Sequence, residues 1–306
     1  MSQTSFTLPA FAKINWTLHV LGRRPDGFHE LHTIFQTITL HDRITFHARE
    51  DEGLSLLCDE PGIPVDESNL VLRAARSLQK RHKIGKGARL HLEKRIPAEA
   101  GLGGGSSDAA VALLGLARLW QVKTSREEMI EIGAGLGADV PFFFTGGTAL
   151  GTGIGTEVKP MRDVPAKHLL IIKPGAKVST AEAYKALKRP ALTKESLDII
   201  LSISRAEALF SDSPHEALHN DFEQAIYELH PEVARARRCL IEQGARGALL
   251  AGSGSSVFGI FDKREALARA QSVLEKEPGW RVFASAALGR ADYMEALGEC
   301  AALLGP

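Results

Sequence analysis

The sequence predicts an α+β fold built in two parts, and three observations carry that prediction. Strand-like and helix-like stretches are mixed without the regular β-α-β alternation of a doubly wound sheet. The length of 306 residues is about twice that of a common domain. Near residues 161–167 the texture turns to proline and charge, which divides the chain into an N-terminal part over 1–160 and a C-terminal α/β part over 161–306.

Residues 11–21 alternate, with Ile14, Trp16, Leu18 and Val20 on one face and Lys13, Asn15, Thr17 and His19 on the other, the mark of a half-buried strand. Pro25, Asp26 and Gly27 supply turn chemistry to a loop over 22–28. Residues 33–48 read as two strands broken near His41 and Asp42, and 51–68 as a loop holding Gly53, Pro61, Gly62 and Pro64. A helix over 70–82 follows from Leu70, Ala74 and Leu78, with Ser68 or Asn69 as its cap. Residues 88–96 alternate again as a strand. The next helix runs to about Trp120, with Ala110, Leu113, Leu114 and Ala117 as one apolar stripe. A helix at 125–136 precedes buried strands over 141–158 and at 169–174. Helices are expected at 180–188, 194–209, 220–229, 231–243 and 263–276. The segment 248–261 reads as strand, glycine-rich turn and strand, 281–288 as a strand, and the tail after Asp292 as helix.

Lysine plus arginine and aspartate plus glutamate both number 37, so the basic excess of a protein that tracks nucleic acid is missing. No apolar run approaches the ~18 residues of a membrane span. The N-terminus lacks the basic and apolar regions of a signal peptide. Cys58, Cys239 and Cys300 are widely spaced and form no CxxC pair, as expected of thiols in a reducing compartment. These features predict a cytoplasmic protein with neither a nucleic-acid nor a membrane partner, and they leave its oligomeric state open.

Between the strand at 88–96 and its following helix lies Gly101-Leu102-Gly103-Gly104-Gly105-Ser106-Ser107. Glycines let backbone N–H groups approach an anion closely, and a helix N-terminus adds partial positive charge. Ser106 and Ser107 offer hydroxyls to phosphate oxygens or to Mg²⁺. A plain connector needs one or two glycines; four, on sequence grounds, cost entropy with no packing return. The run is therefore read as a phosphate cradle. It is not a Walker A loop, since Gly85-Lys86 is followed by Gly87, nor a dinucleotide fingerprint, since Ser106 replaces the third glycine. GxSxG and HExxH are absent. Lys13 reads either as a solvated strand lysine or, beside polar uncharged neighbours, as part of a pocket lining. Asp139, ahead of Val140-Pro141-Phe142-Phe143-Phe144, reads either as a helix-capping or turn aspartate or as a partly desolvated base.

The stretch PAEAGLGGGSSDAA at 97–110 resembles the glycine- and serine-rich signature of the GHMP small-molecule kinases. AKIN at 12–15, GRRPDGFHEL at 22–31, SNLVLRAA at 68–75, GLGADVPFF at 135–143 and AGSGSSVFG at 251–259 follow in the order of one branch of that family. That branch phosphorylates a cytidine diphosphate-linked methylerythritol, and the likeness runs from about residue 10 to 260. It implies a two-lobed fold with ATP and substrate in the cleft, Mg²⁺ as cofactor, and ATP-dependent phosphorylation of the 2-hydroxyl in the non-mevalonate route to isoprenoid precursors. It implies Asp139 as base and Lys13 as its partner. Gly101, Leu102, Gly103, Gly104, Gly105, Ser106 and Ser107 would hold the ATP phosphates with Asp108 beside them, Ser106 being a candidate Mg²⁺ ligand. Lys94 and Asn69 would lie near the adenosine. Asn15, Phe28, His29 and Tyr184 would contact the cytidine end, with Phe28 and Tyr184 suited to sandwich the base. Gly252, Ser253, Gly254 and Ser255 would close the cleft. The other readings are a homoserine, mevalonate or sugar kinase, a decarboxylase of the same fold acting on a diphosphorylated acid, and a non-enzymatic nucleotide-binding module. Three positions depart from the family pattern: Phe28 where tyrosine is usual, Glu99 where glycine is common, and Asp108, often asparagine, which reads as a favourable helix-start acid.

Overall fold

The computed structural model describes residues 5–165, 167–188, 190–192 and 216–305. The expected helix over 194–209 lies outside them. Two long antiparallel strands, β1 (Ser5–Arg23) and β2 (His29–Arg49), are joined by the turn at Pro25–Gly27. β2 is continuous where two strands were expected, because His41 and Asp42 pair with Phe11 and Ala10; the expected break appears only as a register shift, from His41↔Phe11 to Thr37↔Lys13. Its length lets it serve two neighbours on one edge. Residues 43–49 pair with β4 (Gly87–Glu93), and 33–36 pair with β5 (Thr148–Thr152), which leads into β6 (Glu157–Pro160). β3 (Leu54–Cys58), inside the segment read as a loop, lies parallel to β4. Only Leu56 of it is fully buried, so its alternation is weak among the surrounding turn residues.

Helices α1 (Leu70–His82), α2 (Gly104–Leu119) and α3 (Arg126–Leu136) pack on this sheet. Asn69, one of the two expected caps, starts α1 by accepting from the Val71 N–H at 2.9 Å. α2 is buried at every position from Ser107 to Ala117, so it is a central helix enclosed all round rather than one with a single stripe. The run Val140–Phe144 is a 3₁₀ turn, not a strand; Pro141 suits the start of a helical turn, and an apolar run buried throughout carries no period.

The second sheet orders β11 (Arg281–Ala286), β7 (His168–Lys173), β10 (Val257–Phe261) and β9 (Gly247–Leu250), all antiparallel. Around it lie α4 (Thr180–Leu187), α5 (Glu223–Leu229), α6 (Pro231–Glu242) and α7 (Arg264–Leu274). In β7 the alternation is clean. Leu170 and Ile172 face these helices, whereas Leu169 and Ile171 meet Ile14, Trp16 and Ile34 of the first sheet. A two-residue strand, β8 (His219–Asn220), pairs parallel with β1. The closing α8 (Arg290–Leu297) and a 3₁₀ turn (Gly298–Leu304) return to the first core through Tyr293, Leu297, Cys300 and Leu304.

Three register shifts, at Phe11/Lys13, Asn15/Thr17 and Val20/Gly22, break the uniform alternation expected for β1, and the middle one sets the faces at the cleft. The register passes from Asn15↔Phe35 to Thr17↔Ile34, then Leu18↔Thr33 and Val20↔Leu31. A single extra residue at Trp16 exchanges the faces beyond it. Asn15, Leu18 and Val20 therefore share the face of Phe35, Thr33 and Leu31, while Thr17 and His19 turn to the other side.

Candidate active site

A cleft of about 620 Å³ opens between the β1–β2 face, the glycine-rich loop, segment 63–70, the first turns of α4 with Val178 and Ser179 before it, and the loop at 252–254. Lys13 lies on its wall and is only 4 % exposed. Its backbone N–H donates to Leu102 O at 2.9 Å, tying β1 to the loop. Its ammonium donates to Asn15 Oδ1 at 2.9 Å and lies 3.4 Å from Asp139 Oδ2. Asn15 donates to Thr33 Oγ1, which donates to Thr17 O, so the lysine's partner is held by a chain of bonds. The Asp139 side chain makes no capping bond to the following 3₁₀ turn, which removes the capping reading.

The glycine-rich loop sits at the start of α2, its backbone facing the cleft. The expectation that its glycines bring no packing return is corrected. A Cβ on Gly103 would lie 2.9 Å from Lys13 Cγ and 3.2 Å from the Phe143 ring, at a φ of +69°. A Cβ on Gly101 would lie 1.8 Å from Ala251 O. Glycine is thus required for Lys13 to enter and for the two glycine loops to touch, as well as for any approach of phosphate. Gly104, Gly105 and Ser106 line the cleft; Ser107 lies behind, fully buried, its Oγ without a hydrogen-bond partner among the described residues.

Lys94 and Asp108 line the cleft and also form a buried ion cluster with Asp42. The Lys94 ammonium donates to Asp108 Oδ2 at 2.7 Å and to Asp42 Oδ2. Asp42 Oδ1 accepts from the Arg95 and Ile96 N–H groups. Burial lowers the lysine's proton affinity, but the two carboxylates outweigh it and hold Lys94 above its ordinary value. Asp108 is the fifth residue of α2 rather than a helix-start acid; burial raises its carboxyl to about 7, against the opposing pull of Lys94. Asp42 escaped sequence reading because it looked like a strand break, and no signal marks a carboxylate that pairs across a sheet.

This cluster yields a pH prediction. A carboxyl whose folded value is raised gives stability that is complete below the unfolded value, 3.8, and lost as pH rises through about 7. Asp108→Asn removes that loss. Its melting temperature relative to the parent is expected to rise by about 2–4 °C or more between pH 5 and pH 8. A difference that does not change with pH would contradict the assignment.

At the other end, Tyr184 of α4 stacks on His29, ring centroids 4.7 Å apart and 24° between planes, and meets the Phe222 ring edge-on. Burial and the charge of Asp139 push its hydroxyl up, whereas burial and Arg23 push the His29 ring below its ordinary value, favouring the neutral imidazole. Phe28 is 59 % exposed on the turn and does not line the cleft, and one face of Tyr184 is taken by His29. Asn69 lines the cleft while capping α1. Glu99 is exposed on the rim, in left-handed backbone at φ +50°, a conformation that glycine adopts more easily. Gly252, Ser253 and Gly254 line the far wall, whereas Ser255 is buried and its Oγ donates to Ala176 O. Two supports were missed: Thr180, bonded to Ser253 at 3.3 Å, and Asn220, whose side chain donates to Leu250 O and Gly252 O.

Residues 69–147 match the GHMP kinases N terminal domain and 202–279 the GHMP kinases C terminal domain. Among curated proteins, the 4-diphosphocytidyl-2-C-methyl-D-erythritol kinase of Pelobacter propionicus is 39 % identical over 90 % of this chain and 96 % of its own length. The protein of the same name from Syntrophotalea carbinolica is 40 % identical over 92 % of this chain and 97 % of its own. A solved 4-(cytidine 5'-diphospho)-2C-methyl-D-erythritol kinase superposes with a TM-score of 0.75 at 34 % identity, over 93 % of this chain and all of that one. Homoserine kinase from Cytophaga hutchinsonii, at 19 % identity and a TM-score of 0.70, shares the fold. With about 40 % identity to these relatives over some nine-tenths of its length and both GHMP kinase domains matched, this chain belongs to the 4-diphosphocytidyl-2-C-methyl-D-erythritol kinase family of GHMP kinases.

Proposed function

We propose that this kinase transfers the γ-phosphoryl group of ATP to the 2-hydroxyl of 4-diphosphocytidyl-2-C-methyl-D-erythritol, giving the 2-phosphate and ADP, in the cytoplasm. The observation that carries the reading is the buried Lys13, 3.4 Å from Asp139 and facing the glycine-rich loop. Phosphoryl transfer asks for positioned phosphates, neutralised charge and an oriented nucleophile. Backbone N–H groups of 101–107 at the α2 N-terminus hold the phosphates. Asp139 accepts the proton of the attacking hydroxyl, and Lys13 orients Asp139 and faces the charge that develops on the transferred group. Lys94 serves the ATP end by holding Asp42 and Asp108 rather than by neutralising phosphate, because its charge is already matched within the fold.

The donor set suits Mg²⁺, a hard ion that keeps water and binds through one or two protein oxygens plus phosphate. Ser106, on the cleft wall within the cradle, is the side-chain oxygen that would hold it. When bound, the ion would neutralise the charge of the nucleotide phosphates. At the cytidine end, Tyr184 and Asn15 line the cleft, Tyr184 stacked on the neutral imidazole of His29 offers a flat ring, and Phe28 adds an exposed ring beside His29. Tyr184→Ala is expected to raise KM for the cytidylyl substrate about 5- to 150-fold, the loss of ~1–3 kcal/mol of stacking, with KM for ATP nearly unchanged. Equal rises in both would place Tyr184 elsewhere.

The test is ADP release by the purified protein against a panel of acceptors. Release dependent on the cytidylyl compound supports the proposal. Release dependent on homoserine, mevalonate or galactose, with the cytidylyl compound inert, overturns it.

A further inference from the structure

We propose that His19, His219 and Asp221 form a binding site for a divalent transition metal of the Zn²⁺ class, separate from the cleft. The bulge at Trp16 and the pairing of β8 build it. Beyond the bulge, Thr17 and His19 leave the cleft face of β1. β8 pairs with β1 in parallel, Thr17 opposite His219 and Leu18 opposite Asn220. His19, His219 and Asp221 consequently gather on one face, while Asn220 points the other way, toward the cleft loop. One ligand atom from each of the three lies within 4.8 Å of the others. None of the three lines the cleft.

The chemistry of the set selects the ion. Two imidazole nitrogens and one carboxylate suit Zn²⁺, Co²⁺ or Ni²⁺, whereas Mg²⁺ and Ca²⁺ favour oxygen. Three protein ligands at a half-exposed position leave further coordination sites to water. The carboxylate is already oriented: Asp221 Oδ2 accepts from the Val20 N–H at 2.7 Å, and Oδ1 lies 2.9 Å from His219 Nε2. Support of this kind fixes a ligand's direction. The two imidazoles stand stacked, centroids 4.3 Å apart and 14° between planes. One ring must therefore turn to share an ion with the other, and His219, with a side chain 47 % exposed, has the room.

Position gives the site a consequence. Asn220, between two ligands, donates to Leu250 O and Gly252 O, so it holds the loop that closes the cleft. An ion bridging β1 and β8 would clamp the strand that carries Asn220.

The test uses the metal-free full chain, titrated with Co²⁺ for its absorption spectrum and with Zn²⁺ by calorimetry. One equivalent is expected to bind with nitrogen and oxygen ligation, and Zn²⁺ is expected to raise the melting temperature. His19→Ala and His219→Ala should each weaken binding by about tenfold or more and abolish the thermal shift, while Mg²⁺-supported ATP turnover stays at the parent level. No binding, a sulfur-to-cobalt charge-transfer band, or affinity retained in the double histidine variant would overturn the site. Asp221 also holds the Val20 N–H, so the two histidine variants decide the matter.

Discussion

Asp139→Asn is expected to lower kcat by about 10²–10⁴-fold, the usual worth of a general base. The amide keeps the shape of the carboxylate and cannot take the hydroxyl proton. The fold should tolerate the change, because the Asp139 side chain is 34 % exposed and makes no capping bond. With the nucleotide phosphates expected on the glycine loop rather than on Asp139, KM for ATP should move by no more than about twofold, the pattern of an interaction made in the transition state. Steady-state kinetics with a nucleotide-binding control separates the outcomes. Turnover within about threefold of the parent would remove the base role, since a lost general base costs far more.

Lys94→Met is expected to cost about 3–5 kcal/mol of folding stability. The lysine is 6 % exposed and faces two carboxylates that are almost fully enclosed. Without it, Asp42 and Asp108 keep their burial and lose their cation. The damage should reach the cradle, because a Cβ on Gly104 would lie only 3.0 Å from Lys94 Nζ. Adding Asp108→Asn should restore part of the loss, since Asp42 then no longer faces a second acidic group across the vacated site, and a double-mutant cycle by urea denaturation reads the coupling. A loss below about 1 kcal/mol, the range of surface pairs, would contradict this account of the cluster.

Those two sites differ in how far the sequence discloses them. The Lys13–Asp139 pair was legible because each residue sits in a motif, AKIN and GADVPFF; of the polar company expected for Lys13, only Asn15 shares its face. The α+β class and most helices were legible through period and caps, as at Asn69. The faces of β1 were not. The bulge at Trp16 is set by its pairing with β2, and no local propensity records it. Asp42 was hidden for the same reason: its partners, Lys94, Arg95 and Ile96, come from a strand end some fifty residues on. The 3₁₀ turn at Val140–Phe144 was misread because burial on all sides erases periodicity. The loop glycines were read from sequence with an incomplete cause. They admit Lys13 and the second glycine loop, which only the packed structure reveals.

This kinase transfers phosphoryl to one hydroxyl of a cytidylyl substrate. Phosphorus NMR of a reaction containing ATP, Mg²⁺, the cytidylyl compound and the purified protein reads it directly. The predicted spectrum gains one phosphomonoester signal for each ADP formed, on a product whose cytidine diphosphate linkage is intact. ADP accompanied by inorganic phosphate alone, or no ADP above the acceptor-free control, would contradict it.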